Sequence, residues 1–447
     1  VGQRIRISFN TPSGKTNHEG IVLPPASVGY TTLKLPNGYN ISHPETNISD
    51  WEVLNPVTQV TSKTTINTAT EIKMDLPLVR IIHTGGTIAS KVDYATGAVV
   101  ARFEPEELLS SIPELGHIAQ VETVKLGNMW SDDIRPQHWN LILQATAKAF
   151  AEGVEGVVIT SGTDTLHLSA CALGFGWSGN GGTPPGRIVL TGSQRSSDRG
   201  SSDSTENILA AVHWAAHGPK PNGGLADSSV VIMHSETNDG ICAVLPGCAT
   251  RKNHTSRRDA FQAINQPPLA NIIINLPKIT HTLAQEYQEL LSKCESRVQN
   301  NEPILFDQDV RIAQFVAGPH LHHDLVEQAI GLEYNALMFH ATGLGHLPLE
   351  DPLDNAPENS KLAKVLKQYC DGGGIVVLAA QCISGPLNLD VYSKGRLQRK
   401  LGILGHATSM SPEAVAVKLH WLLSQDGVNE ELWCANLIGE NPQNLRK

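Results

Sequence analysis

The 447-residue sequence predicts an α/β chain, a parallel-sheet core preceded by a small all-β module. Three observations carry that expectation. From Leu78 onward, β-branched apolar runs alternate with helical stretches across polar, glycine-containing loops, the order of a parallel sheet covered by helices. Residues 1–56 hold only short alternating runs. Between these parts, residues 57–74 (VTQVTSKTTINTATEIKM) are rich in Thr, Ser and Asn with few bulky apolar side chains, the composition of a linker.

In the first part, Arg4 to Ser8 alternates. Gly20–Leu23 and Thr31–Leu35 read as further strands, and Pro36-Asn37-Gly38 as a hairpin turn into Tyr39–Ile41. Trp51–Leu54 reads as a closing strand, giving a module that resembles a small SH3-like barrel. In the second part, Leu78–His83 is the first buried strand. Pro105 suits a first helical turn, and Glu106 and Glu107 suit the positive end of its dipole. Strands follow at Val121–Val124, Gly156–Thr160, Arg187–Thr191 and Val230–His234, with helices at Pro136–Ala151, Leu166–Trp177 and Ser204–His217. After about residue 300 a second α/β unit is expected. Its strands are Val310–Val316, Ala336–His340 and Gly374–Ala379, and its helices Ser360–Cys370 and Pro412–Leu423.

Composition narrows the function. A net charge of −10 opposes a nucleic-acid grip by this chain alone, because phosphate binding needs clustered Lys and Arg. Seven scattered cysteines without a CxxC pair fit reduced thiols better than a disulfide or zinc framework. No apolar run reaches membrane-spanning length and no signal-peptide pattern is present, so a cytoplasmic protein is expected. His83, His167 and His254 lack metal-ligand spacing, and no metal is expected.

Three loops carry candidate chemistry: Thr84-Gly85-Gly86-Thr87, Gly162-Thr163-Asp164-Thr165 and Arg251-Lys252-Asn253-His254-Thr255. The first and second follow strand ends, where ligands of parallel sheets sit. An amide hydrolase with a hydroxyl nucleophile needs that hydroxyl, a base and donors for the oxyanion. Thr, Lys and Asp together form such a set, and the Gly-Gly turn offers backbone N–H groups. Each part has a plainer reading. The turn is also an ordinary strand-to-loop connection, Thr163-Asp164-Thr165 also caps a helix, and Arg251, Lys252, Arg257 and Arg258 also read as a solvated basic face. Spacing does not separate Thr84 from Thr87 as nucleophile.

The TGGTIAS and GTDT motifs, in this order and with the later Lys loop, resemble the asparaginase/glutaminase amidohydrolase family over about residues 75–447. The longer strings HTGGTIASKVDYATGAV, GSQRSSDRGSSD, RKNHTSRRDAF and QCISGPLNLDVYSKGR resemble one branch of it, the D-type subunits of archaeal-type glutamyl-tRNA(Gln) amidotransferases. The resemblance implies an asparaginase-like two-domain core, residues 75–300 and 301–447, behind the module at 1–56. It implies Thr87 as nucleophile, Thr163, Asp164 and Lys252 as its catalytic partners, and Ser131, Asp132 and Tyr94 as substrate-binding residues. Ser161 and Leu166 depart from it, standing where the family has His and Met. The resemblance further implies a glutaminase whose ammonia goes to a partner, the E-type amidotransferase subunit, which uses ATP and Mg on misacylated tRNA(Gln). No cofactor is then expected on this chain, tRNA is held mainly by the partner, and a homodimer core sits within a heterotetramer. A free cytosolic asparaginase/glutaminase is the alternative.

Overall fold

The computed structural model describes residues 3–11, 14–23, 25, 28–35, 40–54, 76–86, 88, 90–92, 99–101, 112–197, 201–425 and 427–442. The expected linker, the Pro36-Asn37-Gly38 turn, the helix start at Pro105, Thr87 and Tyr94 lie outside the described residues.

Strands β1 (Arg4–Thr11), β2 (Gly14–Leu23), β3 (Tyr30–Lys34), β4 (Asn40–Pro44) and β5 (Ile48–Val53) form one antiparallel sheet, ordered β4-β3-β2-β1-β5. Alternation in β1 turns Ile5, Ile7 and Phe9 inward onto Leu33, while Arg6 points outward to Glu19 and Glu52. The last strand begins at Ile48, earlier than the expected Trp51.

The central unit comprises β6 (Leu78–His83), β7 (Ser90–Val92), β8 (Val99–Ala101), β9 (Gln120–Lys125), α1 (Pro136–Ala151), β10 (Gly156–Thr160), α2 (Leu166–Ser178), β11 (Arg187–Thr191), α3 (Ser204–His217) and β12 (Val230–His234). It continues through β13 (Ile241–Pro246), β14 (Thr250–Lys252), β15 (Phe261–Ala263), β16 (Ala270–Asn275), β17 (Lys278–Leu283) and α4 (Gln285–Lys293). Its main sheet runs β17-β16-β13-β12-β11-β10-β6-β9. β6 is apolar apart from Arg80, which pairs with Glu122 and Glu152, and His83, because both of its faces are covered: Val79 and Ile81 join one core cluster and Ile82 the other.

The expected parallel strands are present, and antiparallel strands extend them into a mixed sheet. From β12 to β9 the strands are parallel, but β12-β13-β16-β17 are antiparallel. Connection length is the physical reason. A parallel pair needs a crossover of a dozen or more residues, whereas β12 joins β13, and β16 joins β17, through short turns that force reversal.

The C-terminal unit holds β18 (Ile312–Val316), α5 (His323–Gly331), β19 (Ala336–Ala341), α6 (Pro357–Asp371), β20 (Val376–Ala380), α7 (Ser393–Lys400), α8 (Pro412–Leu423) and α9 (Glu430–Cys434). Its three strands are parallel. Helix α8 packs on α2, with the Phe175 and Trp421 rings 5.9 Å apart, and one buried cluster spans both units through Trp177, Val377 and Trp421. No helix among the described residues is long and apolar enough to cross a membrane.

Candidate active site

Three loops meet at the carboxyl ends of β9, β6 and β10. Strands β6 and β10 are parallel neighbours with His83 opposite Thr160. Just beyond, both the backbone N–H and the hydroxyl of Thr84 donate to the Thr160 carbonyl at 3.0 Å. Thr84 is buried, so its hydroxyl holds two strand ends together.

The chain then turns through Gly85 (φ +128°) and Gly86 (φ +95°), conformations that suit residues without a Cβ. Contact with neighbouring backbone demands glycine as well. A Cβ at Gly85 would lie 2.3 Å from the Met129 carbonyl oxygen, and one at Gly86 would lie 2.2 Å from the Gly162 nitrogen. The turn is therefore pressed against the loops at 126–131 and 161–165. Ile88, beyond the turn, is buried.

The loop at 161–165 is fixed by the one at 126–131. The Asp164 N–H donates to Ser131 Oγ at 3.0 Å, and the Thr165 hydroxyl donates to the Ser131 carbonyl. Ser131 is buried, and a Cβ at Gly162 would lie 2.8 Å from its Oγ. Asp132, next along the chain, is exposed and has no partner among the described residues. The buried Ser161 hydroxyl has no hydrogen-bond partner among the described residues.

Lys252 ends β14, which pairs with β15 in a two-stranded hairpin. Its Nζ donates to Thr163 Oγ1 at 2.8 Å and to Asp164 Oδ1 at 2.8 Å. The Lys252 side chain is 10% exposed and that of Asp164 66%. One end of the ion pair is thus sealed while the other faces solvent. Thr163, Asp164, Lys252 and Ser131 are brought into one group with the Gly-Gly turn, and exposed Asp132 follows Ser131. Residues Gly343–His346 and Asn388–Tyr392 pack on each other, the His346 and Tyr392 rings 5.3 Å apart, and make no hydrogen bond to this group.

A second layer escaped the sequence. His167, on the first turn of α2, is pushed down to about 4 by burial, which outweighs the opposing pull of Glu413; Arg251 and Lys252 push it further down. Arg251 lies 3.6 Å from Glu413 of α8. In the GSQRSSDRGSSD stretch, buried Asp203 accepts from Ser193 Oγ at 2.8 Å and from the Gln194 and Arg195 N–H groups at 3.0 Å. Arg258 is buried against His234 and Asp239, which corrects its reading as part of a solvated basic face. Its counter-charge is Asp239, 19 residues earlier in the chain, so no local pattern marks the burial. The only local sign was that Arg258 falls within RKNHTSRRDAF.

Comparisons with known proteins bear on this site. The family model "Asparaginase, N-terminal" matches residues 78–285, and "Glutaminase/Asparaginase C-terminal domain" matches residues 310–433. The D-type subunit of the glutamyl-tRNA(Gln) amidotransferase of Pyrococcus furiosus is 37% identical over 95% of this chain and 90% of its own. Its counterpart from Methanococcus maripaludis is 34% identical over 95% of both. The chain is also similar to the solved thermostable L-asparaginase of Thermococcus kodakarensis (TM-score 0.64, 25% identity, 81% of this chain and 98% of that one). L-asparaginase I of Vibrio cholerae gives a TM-score of 0.61 at 26% identity, covering 80% of this chain and 95% of that one.

Proposed function

The chain belongs to the asparaginase/glutaminase amidohydrolase family, in the branch of the D-type amidotransferase subunits, and we propose that Thr87 is the residue that opens glutamine there. The activity is that of a glutaminase subunit, which generates ammonia for the conversion of Glu-tRNA(Gln) to Gln-tRNA(Gln). The Thr87 oxygen attacks the side-chain amide carbon, and its proton passes through the Thr163–Lys252–Asp164 group to the leaving nitrogen. The C–N bond breaks, ammonia leaves, and an ester to Thr87 remains. Water attacks that ester, releases glutamate and returns the proton to Thr87. Backbone N–H groups of the Gly-Gly turn face the oxyanion, worth about 3 kcal/mol of barrier for each such donor.

One observation carries the reading: Lys252 Nζ bridges Thr163 and Asp164 at 2.8 Å, on the loop that touches the turn next to Thr87. Thr84, whose hydroxyl is bound to the Thr160 carbonyl, is a poor rival nucleophile. Ser131 and Asp132 would receive the α-carboxylate and α-ammonium of glutamine, and Tyr94 would close over it. The domain assignment is a β module at 1–56, a linker at 57–74, a catalytic α/β unit at 75–300 and a second at 301–447.

A subunit of this kind works with a partner. We assign that role to the E-type amidotransferase subunit, carrying ATP, Mg and most of the tRNA contact, on a homodimer core within a cytoplasmic heterotetramer. This chain then needs no cofactor of its own. The antiparallel sheet of β1–β5 favours this over a free asparaginase, because the solved asparaginases cover only 80–81% of the chain whereas the amidotransferase relatives cover 95%.

The test is glutamine hydrolysis by the chain alone, with the purified E-type partner, and with that partner and Glu-tRNA(Gln). Ammonia release that rises only with both supports the amidotransferase, strong release by the chain alone supports the free enzyme, and Thr87→Ala should abolish release while partner binding persists. Turnover retained in Thr87→Ala moves the nucleophile elsewhere.

A further inference from the structure

We infer that Glu413, reaching in from the C-terminal α/β unit, is a positioning residue for Lys252 that acts through Arg251 and across the buried ring of His167. The inference rests on the reading of Lys252 given above and names what regulates it.

The covalent arrangement comes first. Arg251 and Lys252 are consecutive on β14, so their side chains leave opposite faces of the hairpin. Lys252 turns to Thr163 and Asp164, and Arg251 turns to α8. Ser411 caps α8, its Oγ accepting from the Ala414 N–H at 3.2 Å, and Pro412 holds the first helical position. Glu413 therefore sits at a fixed place in the first turn, where an acid is also favoured by the helix dipole.

The hydrogen-bond pattern comes second. Arg251 Nη1, Glu413 Oε2 and His167 Nδ1 are all sealed from solvent, and none has a hydrogen-bond partner among the described residues. Arg251 and Glu413 attract each other at 3.6 Å without bonding. Orphaned buried polar atoms are rare and costly in native proteins. The Arg251–Glu413 ion pair and the unbonded His167 nitrogen lie together behind the only lysine that touches the Thr163–Asp164 loop among the described residues.

The charges come third. The groups facing Lys252 and Arg251 are Asp164 from the loop after β10, His167 from α2, Glu413 from α8 and His340 from the end of β19. Asp164 is largely in water and its charge is screened. His167 and His340 are both held toward the neutral form by burial. Glu413, its side chain 20% exposed against 66% for Asp164, is thus the less screened counter-charge to Arg251. A guanidinium neutralised by Glu413 leaves Lys252 Nζ to its hydrogen bonds with Thr163 and Asp164. The second α/β unit thereby reports its docking to the catalytic lysine.

The experiment is the pH profile of kcat/KM for glutamine hydrolysis, measured in the complex with the E-type partner and Glu-tRNA(Gln). Four proteins are compared: wild type, Glu413→Gln, Arg251→Gln and the double variant. With Glu413→Gln, an uncompensated guanidinium stands beside Lys252. The acid limb should move to lower pH by about half a unit or more, with kcat/KM down about tenfold. Arg251→Gln should move the limb the other way, and the double variant should return it to the wild-type position. A packing or helix-dipole role would lower activity without moving the limb, and an unmoved limb in both single variants overturns the inference. Should Glu413→Gln melt too early to assay, Arg251→Gln decides alone by the direction of its shift. Lys252→Met in the same assay keeps the two readings apart. Turnover surviving in Lys252→Met overturns the catalytic assignment, whereas an inactive Lys252→Met with unmoved limbs overturns only the role of Glu413.

Discussion

Gly86→Ala tests whether contact between the two motif loops, and not only their residue types, makes the site. The added methyl would lie 2.2 Å from the Gly162 nitrogen, 2.5 Å from its Cα and 2.6 Å from the Ser161 carbonyl carbon. All three are backbone atoms, so no side chain can swing away. Ordinary contact begins near 3.4 Å, so the loops must part by roughly 1.2 Å. The φ of +95° adds strain of about 1–2 kcal/mol for an L-residue, and the overpacking about 1–3 kcal/mol more. A displacement of about 1 Å between reacting groups costs on the order of 100-fold in rate. The expected result is a lowered Tm and a fall of at least that size in ammonia release from glutamine, read in the assembled amidotransferase. Gly153→Ala is the control. Its φ is +86° and nothing lies within 4 Å of the added Cβ, so it carries the strain without the collision. It should lose only about 1–2 kcal/mol of stability and keep its activity. If Gly86→Ala turns over within threefold of wild type, catalysis does not depend on backbone contact between the loops, and the reasoning fails.

Two further outcomes follow from buried charge. His167 and His213 are both pushed down to about 4, in each case chiefly by burial. A folded value below the unfolded value of about 6.5 means that the unfolded chain takes the proton first, so stability is lost as pH falls from about 6.5 towards about 4. For sealed His167 about 2 kcal/mol should be gone by pH 5. His213 should contribute less, because it borders a cavity of about 260 Å³. Urea unfolding at pH 7 and pH 5 reads the loss, His213→Gln should reduce it, and an unchanged loss in that variant removes His213 from the account. Elsewhere, fully buried Lys418 donates to the carbonyls of Trp433 at 2.9 Å and Ala435 at 2.6 Å, and to Glu440 Oε1 at 2.7 Å. Lys418→Met strands the buried Glu440 carboxylate and should cost about 3–5 kcal/mol, with part recovered by adding Glu440→Gln. A loss under about 1 kcal/mol would mean that the C-terminal turn is held by other contacts.

What the sequence made legible and what it hid divide along one physical line. Features fixed by residues close in sequence were readable. The β6 run, the helix at Pro412–Leu423 and the Thr163-Asp164 loop ahead of α2 each follow from a local pattern of apolar spacing and glycine. The strand direction of β13, β16 and β17 was not, because it depends on connection length and on which edge of the sheet stands open. Chemistry behaved alike. Lys252 was found through its motif, but nothing near it announced Glu413, far along the chain, or Arg258 buried against His234 and Asp239. The choice between Thr84 and Thr87 shows where the line falls. Two threonines three residues apart are equivalent as sequence, and family resemblance alone preferred the second. The fold supplies an independent physical reason: the Thr84 hydroxyl is already spent on the Thr160 carbonyl, binding the two strand ends whose loops form the site. A Thr84 hydroxyl engaged in that way is the poorer candidate for attack, which supports the proposal that the nucleophile lies on the far side of the Gly-Gly turn.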